Sequence, residues 1–218
     1  MHSKMRCLAV IPCFNDEPHL TDLLPKVKTY LDDVLLIDDG SYIKLPSDLN
    51  CHLIRNSTNM GKGYSIKKSF NFAIQNGFTH IITLDADGQH PPEKIPNFLD
   101  IDPSVDVVLG RRDFSGSMPV HRRISNKLTS WLVSLFLSNK VYDSQCGFRR
   151  YKVSSFGQVD CIENGFQYES EILIKGLKQG SLSHIEIPTI YSNEKSSINN
   201  WVDTIKFIRL IFRILISK

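Results

Sequence analysis

Residues 80–92, with the sequence HIITLDADGQHPP, place a short apolar run directly before a cluster of oxygen-bearing side chains. Asp85 and Asp87 are separated by one residue, so their side chains share a face of an extended chain. Together with Gln89 they offer the hard oxygen ligands that Mg²⁺ and Mn²⁺ prefer, and such sites leave coordination positions open for substrate phosphates. The stretch therefore predicts a divalent-metal site where a buried strand ends.

Apolar runs and helical patterns alternate through the first half of the chain. Strands are predicted near residues 8–11, 34–37, 52–54, 81–84 and 105–109, and helices near 20–30, 63–75 and 93–99. Because the strand runs are continuously apolar rather than alternating, we expect them to be covered on both faces. The predicted fold class is α/β, with a mostly parallel, Rossmann-like sheet and helices on both faces.

The regular alternation ends at about Phe114. Beyond it the patterns predict a helix near 124–138, a strand at the Gly-Phe-Arg segment 147–149, a helix near 170–179 and a strand near 183–187. In parallel sheets ligands bind beyond the carboxyl ends of the strands. The polar segments 15–16, 38–39 and 85–87 all fall at such ends, which places a site there.

Bulk composition excludes several classes of protein. A formal net charge of +3 over 218 residues is too small to indicate nucleic acid as the main partner. The five cysteines are an odd number without a Cys-x-x-Cys pair, so neither a disulfide framework nor a zinc site is indicated. Reduced thiols predict a cytoplasmic protein. The apolar run 7–14 is too short for a signal peptide and is interpreted as the first strand.

Four further motifs accompany the acidic pair in a fixed order. They are IPCFND at 11–16, DDGS at 38–41, NMGKG at 59–63 and GFRR at 147–150. This order resembles the family-2 glycosyltransferases of GT-A fold, most closely the branch of dolichol-phosphate mannose synthases and polyprenyl-phosphate glycosyltransferases, over about residues 6–192. The resemblance implies a metal-dependent, inverting transfer of a sugar from a nucleotide-sugar donor. The implied acceptor is a polyprenyl or dolichyl phosphate, or a cell-envelope glycan precursor.

The resemblance also assigns donor-side residues. Asp39 is expected to accept a hydrogen bond from the nucleotide base, and the loop 12–16 to pack around that base, with Asp16 where the family usually has Glu. The glycine turn lacks the features of a Walker phosphate loop, so we expect it to open a helix and direct Lys62 to the donor; a surface lysine is the alternative. The expected nucleotide-binding residues are Pro12, Asn15, Asp16, Asp39, Lys62 and Asp85. The expected ligands of Mg²⁺ or Mn²⁺ are Asp85, Asp87 and Gln89.

On the acceptor side, Arg112 matches a family arginine that faces phosphate. The expected catalytic residues are Asp87, Arg112, Asp143 and Glu169. The expected acceptor-phosphate residues are Arg122, Arg123 and Ser125, with the alignment uncertain by about a residue. A lipid phosphate is already an anion and needs no strong base, whereas a sugar hydroxyl would need a carboxylate, for which Asp143 and Glu169 are the candidates.

Two other functions compete with this interpretation. A strand followed by Asp-x-Asp-Gly resembles the nucleophile motif of haloacid-dehalogenase-type phosphatases, but here the motif lies on a fourth strand and Gln89 follows the glycine. A non-catalytic relative that only binds sugar nucleotides is the second alternative. The intact set of Asp85, Asp87 and Gln89 argues against it.

The C-terminal residues 201–218 are predicted to form an amphipathic basic helix after a glycosyltransferase domain at 1–200. Each charge of Lys206, Arg209 and Arg213 would cost about 2.5–3.5 kcal/mol near a bilayer centre, which disfavours a membrane span. Their spacing of i, i+3 and i+7 is typical of a helix that lies on an anionic membrane surface. It predicts attachment to the cytoplasmic face of a membrane. A helix docked on the domain's own core is the alternative.

Overall fold

The computed structural model describes residues 5–46, 48–113, 120–137, 139–190 and 200–216. The strands are β1 Cys7–Cys13, β2 Val34–Asp38, β3 His52–Arg55, β4 His80–Thr83, β5 Val107–Arg112, β6 Arg149–Lys152 and β7 Leu182–Ile187. They form one sheet in the order β3-β2-β1-β4-β6-β5-β7. β6 is antiparallel to β4 and β5, and the other neighbouring pairs are parallel. The predicted mostly parallel sheet is confirmed.

Helices cover both faces of this sheet. They are α1 Glu17–Lys28, α2 Lys62–Gln75, α3 Ile95–Asp100, α4 Val120–Leu137, α5 Val153–Phe156, α6 Tyr168–Gly176 and α7 Asn200–Ile216, with a 3₁₀ turn at Pro92–Lys94 before α3. Side chains of α1 and α3 belong to one buried apolar cluster, and those of α2, α4, α5, α6 and α7 to the other. The two clusters lie on opposite sides of the strands.

The strand β1 shows why its sequence is continuously apolar. Leu8 and Val10 pack into the cluster that contains α2, whereas Ala9 and Ile11 pack into the cluster that contains α1. Successive side chains of a strand point to opposite faces, so a strand buried on both sides needs apolar residues at every position. This is the pattern on which the parallel sheet was predicted.

The parallel pairing brings three loops to one edge of the sheet. Cys13 is in register with Asp38 on β2, and Val10 with Thr83 on β4. The carboxyl ends of β1, β2 and β4 are therefore neighbours. The polar residues that follow each of these strands share that edge, as expected.

The second half of the chain differs from the prediction in three places. The strand expected at 147–149 lies at Arg149–Lys152 and runs antiparallel. The helix expected from 124 begins at Val120, so Arg122 and Arg123 are helical. The four-residue helix α5 was not predicted, because one turn is too short to show a 3.6-residue period.

Helix α7 docks on the domain through one face only. Its buried side chains are Phe207, Leu210 and Ile214, which join the cluster that contains α2 and α6. Arg213 Nη1 lies 3.0 Å from Glu163 Oε1, which ties the helix to the segment before α6. A second apolar face, with Ile208, Phe212 and Leu215, is exposed. Among the described helices, none has the length and apolar character needed to cross a bilayer.

We predict that α7 contributes to the stability of the domain through this buried face. Leu210→Ala should lower the free energy of unfolding by about 2–5 kcal/mol, because the buried leucine leaves a cavity. Phe212 is 61% exposed, and Phe212→Ala should change it by no more than about 0.5 kcal/mol. Urea denaturation of the two variants measures both values. Equal effects of the two substitutions would show that the helix is not docked as described.

Candidate active site

The loops after β1 and β2 are fastened to each other. Asn15 has a φ of 59°, in the left-handed region, and its amide donates a hydrogen bond of 2.9 Å to Ser41 Oγ. The amide of Tyr42 donates one of 2.9 Å back to Asn15 Oδ1. Pro12, Asn15 and Asp16 thus lie at the predicted edge. The side chain of Asn15, however, holds the neighbouring loop.

Asp39 is buried and anchors the glycine turn. Its Oδ1 accepts hydrogen bonds from Asn56 Nδ2 at 2.6 Å and from the Met60 amide at 3.0 Å. Its Oδ2 accepts one of 2.7 Å from the Gly61 amide. The carboxylate predicted to bind the base therefore positions the turn before α2, and its contact with a base remains a prediction.

The glycines of this turn are required by close packing and not by a phosphate. A Cβ on Gly61 would lie 2.4 Å from the carbonyl oxygen of Asn164, and one on Gly63 would lie 2.5 Å from Tyr168 Cβ. The Gly63 amide donates a hydrogen bond of 2.7 Å to the same Asn164 carbonyl. Because protein atoms use this amide at the start of α2, the turn does not act as a phosphate loop, in agreement with its missing Walker residues.

Lys62 is a cation held between two carboxylates, and only 14% of its side chain is exposed. Its Nζ lies 2.5 Å from Asp85 Oδ1 and 2.9 Å from Glu169 Oε1. Burial opposes its charge, but Asp85 and Glu169 outweigh that effect and raise the pKa of Lys62 above its ordinary value. The alternative of a surface lysine is excluded. The structure brings together three predicted site residues from α2, the loop after β4 and α6.

Gly147 leaves room for this ion pair. A Cβ at that position would lie 2.5 Å from Lys62 Nζ and 2.7 Å from Asp85 Oδ2. The glycine of the GFRR motif therefore lies directly against the site. A residue without a side chain is needed here because the ion pair of Lys62 and Asp85 lies directly against the backbone.

His90 is a site residue that the sequence analysis missed. Its Nδ1 accepts a hydrogen bond of 2.9 Å from the Asp85 amide, and its ring is 5.4 Å from that of Phe148. Burial lowers the pKa of His90 to about 4, so the ring is neutral at pH 7, and the accepting role of Nδ1 assigns the proton to Nε2. The only sequence feature that could have indicated His90 as a site residue was its position next to Gln89. It fixes the backbone of the acidic loop.

Asp87 differs from Asp85 in its surroundings. Burial raises the pKa of Asp85, but the charge of Lys62 outweighs this and lowers it. Burial, followed by repulsion from Asp85, raises the pKa of Asp87. Asp87 Oδ1 accepts a hydrogen bond of 3.0 Å from the Gln89 amide. A cation beside Asp87 would stabilise the negative charge of this carboxylate. Asp85 is already paired with a cation, the ammonium of Lys62.

These residues fit a metal ion that its substrate helps to bind. In the part of the chain that the structure describes, no three His, Cys, Asp or Glu side chains cluster closely enough to hold an ion alone. Mg²⁺ is commonly bound by one or two carboxylates together with substrate phosphates. Asp87, with Gln89 and the remaining capacity of Asp85, matches that type of site.

The two carboxylates considered as bases are both ion-paired. Asp143 is fully buried, and Arg112 binds it in a bidentate manner, with Nε 2.7 Å from Oδ2 and Nη2 3.0 Å from Oδ1. Glu169 lies against Lys62 and is 3.8 Å from Arg149 Nη2. Each candidate base is therefore held against a basic side chain in this structure.

A cleft of about 820 Å³ opens beside Arg112, between the end of β5 and α4. Its basic lining residues are Arg111, Arg112, Arg123, Lys127 and Lys140, and its aromatic ones are Trp131 and Tyr142. Of the predicted acceptor residues, Arg123 lines this cleft. Arg122 and Ser125 lie on the same helix as Arg123, one residue before it and two residues after it in sequence.

Comparison with known proteins agrees with this geometry. A family model described as glycosyl transferase family 2 matches residues 8–162, which is more than half of the chain. The chain belongs to glycosyltransferase family 2. It is therefore a glycosyltransferase, and the phosphatase alternative is excluded. An uncharacterised protein of Methanocaldococcus jannaschii is 33% identical over 192 residues, covering 80% of this chain and 83% of the relative.

One further relative and one solved structure of similar fold have descriptive names. The undecaprenyl-phosphate mannosyltransferase of Micrococcus luteus is 26% identical over 204 residues, covering 86% of this chain and 84% of its own. The glucosyl-3-phosphoglycerate synthase of Mycobacterium tuberculosis, crystallised with Mn²⁺, UDP-glucose and phosphoglyceric acid, superposes with a TM-score of 0.73 at 11% identity, over 96% of this chain and 79% of that one. The latter likeness shows the fold, and it confirms the predicted GT-A arrangement.

We predict that Gly147→Ala destabilises this family-2 glycosyltransferase. The added Cβ would displace the ion pair of Lys62 and Asp85, and overpacking of this kind costs about 1–3 kcal/mol in the free energy of unfolding. Gly165→Ala is the matched control, because its Cβ would meet only the end of the Gln167 side chain, at 3.2 Å. Urea denaturation measures both variants. If Gly147→Ala is as stable as the control, the close contact with the ion pair does not exist in solution.

Proposed function

We propose that this glycosyltransferase moves a sugar from a nucleotide-sugar donor to the phosphate of a polyprenyl or dolichyl lipid, with inversion at the sugar carbon. The observation that carries the proposal is the ion pairing of both candidate bases, Asp143 with Arg112 and Glu169 with Lys62. A hydroxyl acceptor must lose a proton to a base during transfer. A phosphate monoester is already an anion at neutral pH and needs none.

The donor side is proposed to use a divalent ion, Mg²⁺ or Mn²⁺, held by Asp87 with Gln89 and Asp85. Such an ion stabilises the negative charge that develops on the departing nucleoside diphosphate. The chain's own contribution is to keep Asp85 charged through Lys62 and to fix the loop backbone through His90. The relative from Mycobacterium tuberculosis was crystallised with Mn²⁺ and UDP-glucose, which supports this choice of ligands.

The acceptor is proposed to enter the basic cleft beside Arg112. Arg123 and Lys127 present positive charge in that cleft, and Trp131 offers an apolar wall. An anionic headgroup with an apolar chain is complementary to both features. The name of the Micrococcus luteus relative, an undecaprenyl-phosphate mannosyltransferase, supports the same acceptor class. A cell-envelope glycan precursor with a hydroxyl acceptor is less compatible with the paired carboxylates.

A transfer assay with two matched lipids tests the proposed acceptor. We expect label from a radioactive nucleotide-sugar to reach the organic phase with a polyprenyl phosphate, and not with the polyprenol of the same chain length. The transfer should require Mg²⁺ or Mn²⁺ and stop in EDTA. A panel of uridine and guanosine diphosphate sugars covers the donor. Equal labelling of the alcohol, or labelling only of a glycan, would contradict the proposal.

A binding measurement tests the proposed metal site separately from the acceptor. Asp87→Ala should weaken metal-dependent binding of a nucleoside diphosphate at least tenfold, or about 1.4 kcal/mol, because the principal carboxylate ligand is removed. Asp100→Ala, at an exposed position on α3, is the control and should bind as the wild type does. Isothermal titration calorimetry measures all three proteins. Wild-type affinity that is unchanged in EDTA would refute the metal requirement.

We further propose that the outer faces of α7 and α4 rest on an anionic membrane surface. On α7 the exposed Lys206 and Arg209 lie beside the exposed apolar face. On α4 an apolar stripe with helical spacing is also exposed, formed by Ile124, Leu128, Trp131 and Leu135. Apolar faces with adjacent basic residues fit an anionic lipid interface. A lipid-phosphate acceptor in such a bilayer would lie close to the cleft, which Trp131 also lines.

Vesicle flotation tests the membrane proposal. Changing Lys206 and Arg209 together to Gln should release the protein from acidic liposomes, because each basic residue near the surface contributes about 1 kcal/mol. Arg213 stays unchanged because it pairs with Glu163. The control changes the exposed Lys44 and Lys178 to Gln. Wild-type protein that does not float with acidic liposomes at low salt, or a control that detaches equally, would contradict the proposal.

A further inference from the structure

Glu171 is a buried carboxylate to which the proposed transfer gives no role. It lies on α6, two residues after Glu169. Its Oε1 accepts a hydrogen bond of 3.1 Å from the Ile162 amide, and its Oε2 accepts one of 2.8 Å from the Glu163 amide. The carboxylate therefore holds the backbone of residues 160–164, a segment before α6 that we call the strap.

Lys175, one turn further along α6, strengthens this attachment. Its Nζ lies 2.7 Å from Glu171 Oε1 and donates a hydrogen bond of 2.8 Å to the Asp160 carbonyl. Burial opposes the charge of Glu171, but the hydrogen bonds from Lys175 and from the two strap amides outweigh burial and lower the pKa of Glu171. Glu171 is therefore a charged hydrogen-bond acceptor at neutral pH.

The strap in turn holds the beginning of α2. The Asn164 carbonyl accepts hydrogen bonds from the amides of Gly63 and Tyr64, at 2.7 and 3.3 Å. These amides belong to the first turn of the helix, where backbone donors lack partners within the helix, and Gly61 before them has no side chain to cap them. Because Lys62 is the first residue of α2, the strap helps to fix the backbone from which its side chain extends.

Helix α6 therefore acts on Lys62 in two ways. Glu169 contacts the ammonium directly, at 2.9 Å. Residues two apart on a helix do not face the same neighbour, so Glu171 contacts the strap instead. The ammonium must reach both Glu169 and Asp85, so a shift of the helix start would disturb the ion pair with Asp85 in the acidic loop.

We propose that Glu171 is a positioning residue for Lys62, and that it acts through the strap to support binding of the donor's diphosphate with its metal ion. This deepens the proposed function and rests on it, because Lys62 pairs with Asp85 beside the proposed metal site. The effect of Glu171 on donor binding should accordingly exist only while Lys62 is present.

A double-mutant cycle with Lys62 tests this dependence. Calorimetry in Mn²⁺ is run with UDP and GDP, and the better-bound one is used throughout. Glu171→Gln keeps the size of the side chain but leaves one acceptor oxygen for the two strap amides, and it should weaken binding about fivefold. In the Lys62→Met background the same substitution should change the affinity by less than about twofold, because the ammonium that it positions is absent.

Asp106→Asn is the matched control. Asp106 precedes β5 at the opposite edge of the sheet, and its Oδ2 accepts a hydrogen bond of 2.8 Å from the Ser181 amide, so it also holds a loop through a backbone donor. This control should leave the affinity unchanged in both backgrounds. Thermal melting shows that each variant is folded. If Glu171→Gln does not fold, Lys175→Met replaces it, with an expected loss of about threefold that again requires Lys62.

The outcomes separate this inference from the proposed function. Wild-type affinity in Glu171→Gln, an equal loss in the Lys62→Met background, or an equal loss in Asp106→Asn would overturn the positioning role and leave the proposed function standing. Wild-type protein that binds neither nucleoside diphosphate in Mn²⁺ would overturn both together.

Discussion

The ammonium of Lys62, held between Asp85 and Glu169, is the interaction on which the site depends. It joins the start of α2, the loop after β4 and the first turn of α6. Removing Lys62 would leave both carboxylates without this cation. The neighbouring constraints follow from it. Gly147 must lack a side chain because a Cβ there would meet the ion pair. The glycine turn, which Asp39 anchors through a hydrogen bond, must direct Lys62 into the site.

Because of these ion pairs, the acidic residues of the site have different roles. Lys62 pairs with Asp85 and Glu169, and Arg112 pairs with Asp143, so these carboxylates order the site. Asp87 is the acidic residue whose charge is disfavoured by its surroundings, which makes it the natural partner of an added cation. The arrangement suits a reaction in which the leaving group needs positive charge and the acceptor needs no base. A phosphate acceptor meets the second condition.

Local patterns in the sequence predicted much of the fold. The continuous apolar runs at β1, β2 and β4 require burial on both faces, and the acidic residues that follow them mark the ligand edge. The pairing of Lys62 with Glu169 and of Arg112 with Asp143 could not be predicted, because each joins residues distant in sequence whose contact depends on the tertiary fold. The basic residues of α7 illustrate the same limit. Their spacing predicted one polar stripe, but Arg213 pairs with Glu163 and a separate face docks on the core.

The most direct test of this account is anomalous diffraction from a crystal grown with Mn²⁺ and a nucleoside diphosphate. We expect one manganese peak beside the Asp87 carboxylate, next to the diphosphate, with Lys62 still paired to Asp85 and Glu169. A manganese ion at another place, or a diphosphate bound at the amides of the glycine turn without a metal, would contradict it.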